Sequence, residues 1–407
     1  MNEAPWDRTP GRGETAVFDD TGASAPVPPK MTRIDRAVLV HGLQRLGAAR
    51  VSTGNRVELL RDGPATFAAM LTLIADARER VSLESYIVRS DAVGNMFAPE
   101  LIGAARRGVR PRVLFDWIGS RTTSRRFVRM LRRGGVEVGI FNPLSLKRRW
   151  FGLLPRDHRK LLVVDGAAGV IGGIGLGHEW TTGTHPRAKE GSSPWRDTAV
   201  QIDGPAARDM DRAFERSWGR LLRPPYRNPN SGAWRPPHPP GAAPVDGEPA
   251  MVAIMEGEPG RYRVARSLEV ATILAARSIW ISDAYFLPNM ALVEALTGAA
   301  RDGVDVRLLV PSRGDHPWII RATQRYYPRL LESGVRIWEW PGEMMHAKTS
   351  VVDGRYVRIG STDFNLLGMA INYELDAMIE DAGLGAATSA MFEEDIARSQ
   401  PRNGAAQ

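Results

Sequence analysis

Apolar positions three and four apart alternate along this chain with short β-branched runs, and the alternation happens twice. Each time it predicts a helix, a strand, a second helix, a second strand and then a last apolar strand, so that helices and strands alternate within each half. The two passes align in order. "ARERVSLESYIV" (77–88) pairs with "ARSIWISDAYFL" (276–287), "GAARRGVRPRVLFD" (103–116) with "GAARDGVDVRLLVP" (298–311), and "MLRRGGVEV" (130–138) with "LLESGVRIW" (330–338). The last strands are "DHRKLLVVDG" (157–166) and "MHAKTSVVDG" (345–354). A repeat this long is a duplicated structural unit, and small loop insertions explain the drift in spacing between its halves.

Strands alternating with helices argue for an α/β fold of two tandem domains. Each is expected to be a mixed, mostly parallel sheet flanked by helices, with a pseudo-twofold axis relating the two. The stretch 224–250, "PPYRNPNSGAWRPPHPPGAAPVDGEPA", is too rich in Pro and Gly for a helix or central strand and reads as a linker. The expected organisation is a polar mobile arm (1–35), an N-terminal domain (36–223), the linker (224–250), a C-terminal domain (251–399) and a tail (400–407). The arm lacks the apolar core of a signal peptide, and nowhere do about 18 apolar residues run without a charge, so no segment qualifies as a membrane span.

Composition narrows the chemistry. The 407 residues are 43% hydrophobic and 25% charged, a balance that excludes wholesale disorder. The net charge of +8 points to an anionic partner: nucleic acid, acidic lipid headgroups or phosphorylated metabolites. Without cysteine there is no disulfide, thiolate nucleophile or Cys-ligated metal.

Arginine is the default cation, since only five of the 54 basic residues are lysines, and two of those five follow a histidine by two positions. His158, Lys160 and Asp165 form one H-x-K-x4-D array, and His346, Lys348 and Asp353 the other. Positions i and i+2 of a strand share a face, so each array projects an imidazole and an ammonium together. If the halves pack about a twofold axis, two histidines and two lysines meet in one pocket. Lysines there would neutralise nonbridging phosphoryl oxygens, one histidine would attack phosphorus, and the other would protonate the leaving alkoxide and later deprotonate the incoming hydroxyl. No metal ligand set is visible. A nucleophilic imidazole needs its tautomer fixed, for which the candidates are Asp197, 39 residues after His158, and Glu374, 28 after His346. The competing reading of each is a solvated carboxylate at a strand end. Asp165 and Asp353 sit in D-G turns, where a structural or ion-pair role competes with proton transfer.

The duplicated H-x-K-x4-D motif resembles that of the phospholipase D superfamily, over roughly residues 50 to 395. Within it, "LFDWIGS", "FNP", "RDHRKLLVVDG" with "GG", "DAYFLPN", "MHAKTSVVDG" with "GS" and "NYE" look most like the bacterial cardiolipin synthase branch. The resemblance implies tandem phospholipase D-like domains and a two-step phosphatidyl transfer through a phosphohistidine, with no metal or cofactor. His158, Lys160, His346 and Lys348 would carry it, with His158 as nucleophile and His346 as acid and base, or the reverse. It implies substrate contacts at Tyr86, Gly173, Tyr285, Ser361 and Asn365, and cardiolipin made from phosphatidylglycerol. Water in place of the alcohol would make a phospholipase D, and a nuclease of the same superfamily is the rival that the basic charge favours. No platform of interleaved aromatic and basic residues supports nucleic acid.

Two departures stand out: the family places asparagine where this chain has Gly175 and Asp363. The family also commonly has N-terminal membrane spans, so this chain resembles its shorter, peripheral members, and the expected place is the cytoplasmic face of the cell membrane. Membrane contact is expected from the basic and apolar run Lys147, Arg148, Arg149, Trp150, Phe151, Leu153 and Leu154, just before the first H-x-K strand. Core or surface packing is expected of Trp117, Trp180, Trp195 and Trp218, and of His41, His178, His185, His238 and His316.

Overall fold

The computed structural model describes residues 42, 45, 49–143, 155–181, 193–221 and 249–402. The N-terminal arm, all but the end of the linker and the run 147–154 lie outside them. In the first half the strands are β1 (Val51–Arg61), β2 (Arg80–Ser85), β3 (Arg110–Asp116), β4 (Glu137–Phe141), β5 (Lys160–Val164), β6 (Ala168–Gly172) and β7 (Thr198–Asp203). In the second they are β8 (Ala250–Gly257), β9 (Ser278–Ser282), β10 (Asp305–Pro311), β11 (Arg336–Trp340), β12 (Thr349–Val352), β13 (Tyr356–Gly360), β14 (Glu374–Glu380) and β15 (Gln400–Arg402).

All fifteen join one sheet, in the order β15-β11-β10-β9-β12-β13-β14-β8-β1-β7-β6-β5-β2-β3-β4. Leaving out β15, the order reads the same from both ends once each strand is matched to its repeat. At its centre β1 runs antiparallel to β8, with Val51 opposite Ala253. An antiparallel pair at the centre of a palindromic order is what a twofold relation between the halves produces. The apolar core also crosses that centre: Val163, Ile171 and Val200 share one cluster with Val252, Val357 and Leu375.

Between these strands, parallel pairing is confined to β2-β3-β4 and β9-β10-β11. The other pairs are antiparallel, so the sheet is mixed but not mostly parallel as expected. The reason lies in the D-G turns. Asp165 and Gly166 have φ of 54° and 64°, Asp353 and Gly354 53° and 64°, and two successive left-handed residues make the tight turn that joins antiparallel neighbours. Each H-x-K strand therefore folds straight back as a hairpin. Gln400–Arg402, read as tail, instead pair with β11 and extend the sheet edge.

Both turn aspartates also pin a neighbouring strand. Asp165 accepts the backbone N–H groups of Arg78, Glu79 and Arg80, and Asp353 those of Ala276, Arg277 and Ser278. They lie at the far ends of β5 and β12 from the histidines, which places them in the turns and not at the chemistry. Removing three charge-assisted hydrogen bonds at once should be felt in folding alone. Asp353→Ala is expected to lower unfolding free energy by about 2 to 4 kcal/mol in urea titrations, while the fraction still folded keeps its turnover.

Candidate active site

His158 and His346 lie at the entrances to β5 and β12, and each is tied to the other half. The His158 N–H donates to the carbonyl of Tyr373 (2.9 Å), and the next residue, Glu374, takes the His158 ring: both its carboxylate oxygens lie 3.0 Å from Nδ1. The His346 N–H donates to the carbonyl of Arg196 (2.7 Å), and the next residue, Asp197, holds His346 Nδ1 at 2.7 Å through Oδ2. The two carboxylates proposed as tautomer holders are thus both engaged, but crosswise, each on the histidine distant in sequence. The arrangement repeats down to the lysines. Lys160 Nζ donates to the His158 carbonyl and Lys348 Nζ to the His346 carbonyl, both at 2.6 Å, and each ammonium lies 5.6 Å from the centre of a tyrosine ring, Tyr86 and Tyr285 respectively.

His158, Lys160 and His346 open into one cavity of about 770 Å³, lined also by Tyr86, Tyr285, Asp363 and Asn365, and Lys348 stands just behind its wall against Asp363. That size suits a small-molecule site or a pair of headgroups. Tyr86 meets the His158 ring edge-on at 5.0 Å, and Tyr285, whose hydroxyl donates to Asp315, meets His346 at 6.1 Å. Asn365 lines the wall while its amide donates to the Tyr285 carbonyl. Gly173 and Ser361 stand one layer back. A Cβ on Gly173 would lie 2.2 Å from Asp197 Oδ1, so glycine there makes room for the carboxylate. Ser361 donates to Glu374 Oε2 and accepts the N–H of Leu375. Both reach the cavity through the histidine partners.

The halves differ in ways the motifs conceal. His346, with 6% of its side chain exposed, has Trp195 and Trp180 at 5.3 and 5.7 Å, whereas His158 is 13% exposed. Trp180, expected as plain core, donates its indole N–H to Asp197 Oδ2 at 2.9 Å. It also accounts for Gly175: a Cβ there would come within 2.8 Å of the Trp180 ring, which fills the space an asparagine would need. The hint in the sequence was a tryptophan five residues after a glycine that departs from the family pattern. Trp195, His178 and His316, read as core or surface, line the cavity, while Trp218 is core.

Burial, then the neighbouring lysine charges, holds both imidazoles well below their usual range. Burial also pushes Asp197 up to about 6, Glu374 up to about 8, and Lys160 down to about 8. Near neutral pH the carboxylate beside His346 is therefore the more readily ionised. Among the described residues one cluster has metal-ligating spacing: Asp91, His178 and Glu179. Asp91 caps a helix through Val93 and Gly94 and holds His178 Nδ1 at 2.7 Å, and Glu179 pairs with Arg89 through Oε1, while its buried Oε2 accepts no hydrogen bond from the described residues.

At the second departure, Asp363 Oδ1 lies 3.3 Å from Lys348 Nζ. Behind it the buried Asp283 accepts the N–H groups of Tyr285 and Phe364. Burial, reinforced by Asp363, pushes Asp283 up to about 8. A folded-state value raised above the unfolded one gives stability that is complete below about 4 and lost as pH rises through about 8. Asp363→Asn removes the like charge, so its melting temperature is expected to fall less than that of the parent between pH 6 and 9, as differential scanning fluorimetry can check.

Comparison with known proteins agrees with this geometry. The family description "cardiolipin synthase, PLD-like domain" matches residues 271–396. A cardiolipin synthase of Geobacillus sp. (strain WCH70) is 33% identical over 363 residues, covering 88% of this chain and 69% of that protein. The major cardiolipin synthase ClsA of Bacillus subtilis (strain 168) is 30% identical over 363 residues, covering 89% and 73%. The chain belongs to the cardiolipin synthase family of the phospholipase D superfamily. It spans 66% of the length of the Geobacillus thermodenitrificans (strain NG80-2) member, to which it is 34% identical over 84% of its own residues. Among solved structures, phosphatidylserine synthase of Haemophilus influenzae Rd KW20 shares the fold, with a TM-score of 0.63 at 14% identity over 89% of this chain and 91% of that one. Polyphosphate kinase of Porphyromonas gingivalis does so at a TM-score of 0.52 and 13% identity, over 83% and 46%.

Proposed function

We propose that this chain is a phosphatidyltransferase that makes cardiolipin from two molecules of phosphatidylglycerol through a phosphohistidine. The observation that carries the reading is the convergence of both histidines and Lys160 on one cavity, with Lys348 behind Asp363 at its wall, and each imidazole held by a carboxylate from the opposite half. Lys160 and Lys348 hold the nonbridging oxygens of the donor phosphate. His158 Nε2 attacks phosphorus, the bond from phosphorus to the glycerol oxygen breaks, and His346 gives that oxygen its proton. The free glycerol leaves. His346 then takes the proton of a hydroxyl on the second phosphatidylglycerol, whose oxygen attacks phosphorus and displaces His158.

The assignment of roles follows from the two carboxylates. Asp197, ionising near 6, stands as a carboxylate beside His346 near neutral pH and favours a proton on that ring more than a protonated partner would, against the burial that lowers both imidazoles. Glu374, raised to about 8, supports a neutral ring at His158, which is also the more open of the two. The residues 36–223 and 251–399 act as one catalytic unit, since neither completes a histidine-carboxylate pair alone. A phospholipid substrate implies work at a membrane surface, and the cytoplasmic face belongs to the same proposal. No helix among the described residues is long and apolar enough to cross a membrane.

The deciding experiment incubates the purified chain with phosphatidylglycerol vesicles and reads products by mass spectrometry. Cardiolipin with equimolar glycerol is expected. Phosphatidic acid alone would make it a hydrolase, and DNA cleavage without lipid turnover would make it a nuclease.

A further inference from the structure

The mouth of the cavity carries two exposed features that the chemistry does not use. On the second half's side, large apolar side chains face solvent: Met290 (49% exposed), Trp318 (63%), Leu366 (62%) and Leu367 (46%). They come from three segments tied to one another: Leu287 N–H donates to the Phe364 carbonyl, Thr323 Oγ1 to the Phe286 carbonyl and Asn365 Nδ2 to the Tyr285 carbonyl. Leu367 lines the cavity itself, and Trp318 lies between His316 and Ile319, which also line it. Three of the eight large apolar side chains left exposed among the described residues, Trp318, Leu366 and Leu367, therefore sit on or next to cavity-lining positions, and Met290 follows the segment tied to them.

The first half answers with charge. The cavity-lining loop that includes Ile118, Arg121 and Thr122 runs directly into the helix Arg125–Arg133, "RRFVRMLRR". Phe127 and Leu131 anchor that helix in the core, while Arg125, Arg126, Arg129, Arg132 and Arg133 are exposed. None of the five has an ion-pair partner among the described residues, although this molecule pairs most of its buried arginines. The helix follows β3 as the Trp318 helix, Pro317–Gln324, follows β10, so the duplication puts both at equivalent positions on the opening. Five like charges on a nine-residue helix repel one another unless an anionic surface neutralises them.

We propose that this rim docks the cavity mouth onto an anionic bilayer, with the arginine helix against lipid phosphates and Trp318, Leu366 and Met290 entering the interface. The choice of occupant rests on the lipid-substrate reading given above. Charge without exposed apolar side chains would suit nucleic acid equally. The apolar half of the rim separates the two, because it gains only where there is hydrocarbon to enter. Docked this way, a substrate headgroup would reach His158 while its acyl chains stay in the membrane.

Two variants test the surface: Trp318→Ser/Leu366→Ser and Arg125→Gln/Arg126→Gln/Arg129→Gln. Co-sedimentation with vesicles of phosphatidylglycerol and phosphatidylcholine should weaken about tenfold or more for the first and about a hundredfold for the second. With pure phosphatidylcholine, the arginine variant should match the parent. Turnover of a short-chain phosphatidylglycerol dissolved below its micelle concentration should be unchanged in both, showing an intact cavity. Vesicle affinity equal to the parent in both variants would overturn the proposal. So would loss of salt-sensitive DNA binding in the arginine variant with vesicle binding intact. Failure of the parent to turn over the short-chain lipid would instead sink the functional reading, leaving the vesicle result to judge the surface by itself.

Discussion

A His158→Asn protein given a phosphatidyl ester of 4-nitrophenol is expected to release no burst of nitrophenol and to hold no acid-labile phosphate, with turnover down by roughly 10⁴-fold or more. His346→Asn should behave differently. Nitrophenolate departs without a proton, so the first step no longer needs an acid, and His158 should still become phosphorylated in a burst of one equivalent per site. The second step still needs a base, so steady-state turnover should fall by about 10² to 10⁴-fold. Measured on phosphatidylglycerol, whose alkoxide does need a proton, both variants should be slow. The contrast between the two substrates separates nucleophile from acid and base, which a simple loss of activity cannot do. A burst from His158→Asn and none from His346→Asn would invert the roles.

Much of this site could be read before any coordinates, because the duplication writes itself into spacing. His158 and Lys160, and His346 and Lys348, stand two apart before an apolar run, and two such arrays imply a shared pocket as soon as the halves are related by a twofold axis. The sheet order confirms that relation between the halves. The crossing of the carboxylates was not legible. Asp197 follows His158 in the chain, and nothing in a linear spacing says that the strand it heads runs beside the other half's histidine. That pairing depends on the backbone bonds from His346 to Arg196 and from His158 to Tyr373, which exist only once the halves dock.

Other misses share a cause. The expectation of a mostly parallel sheet came from counting strands and helices, yet Asp165-Gly166 and Asp353-Gly354 already called for hairpins and therefore for antiparallel neighbours. Gly173 and Ser361 belong to the motifs, but a motif does not distinguish a side chain that touches substrate from one that makes room for, or bonds to, the residue that does. Trp318 and Leu366 were invisible for the opposite reason: an apolar residue beside other apolar residues looks like core until its exposure is known.

The crossing makes its own prediction. Asp197 Oδ2 accepts both the Trp180 indole N–H and the His346 Nδ1–H, and Oδ1 accepts the N–H of Thr198. Three donors need a group with no hydrogen of its own. In Asp197→Asn the new NH₂ must face either Thr198, donor against donor, or Trp180 and His346, in which case the ring turns its proton to Nε2 and the base is lost. The expected fall in kcat is roughly 10³ to 10⁴-fold. Trp180→Phe should do less, about tenfold. Losing one donor raises the Asp197 pKa from about 6, so the acid limb of the pH profile should move to higher pH. A double-mutant cycle then reads the pairing directly. Asp197→Asn should add almost nothing to His346→Asn, 149 residues away, but its full effect to Glu374→Gln. If it added fully to His346→Asn and nothing to His158→Asn, the carboxylates would serve the histidines of their own halves, and the interlocked site would have to be given up.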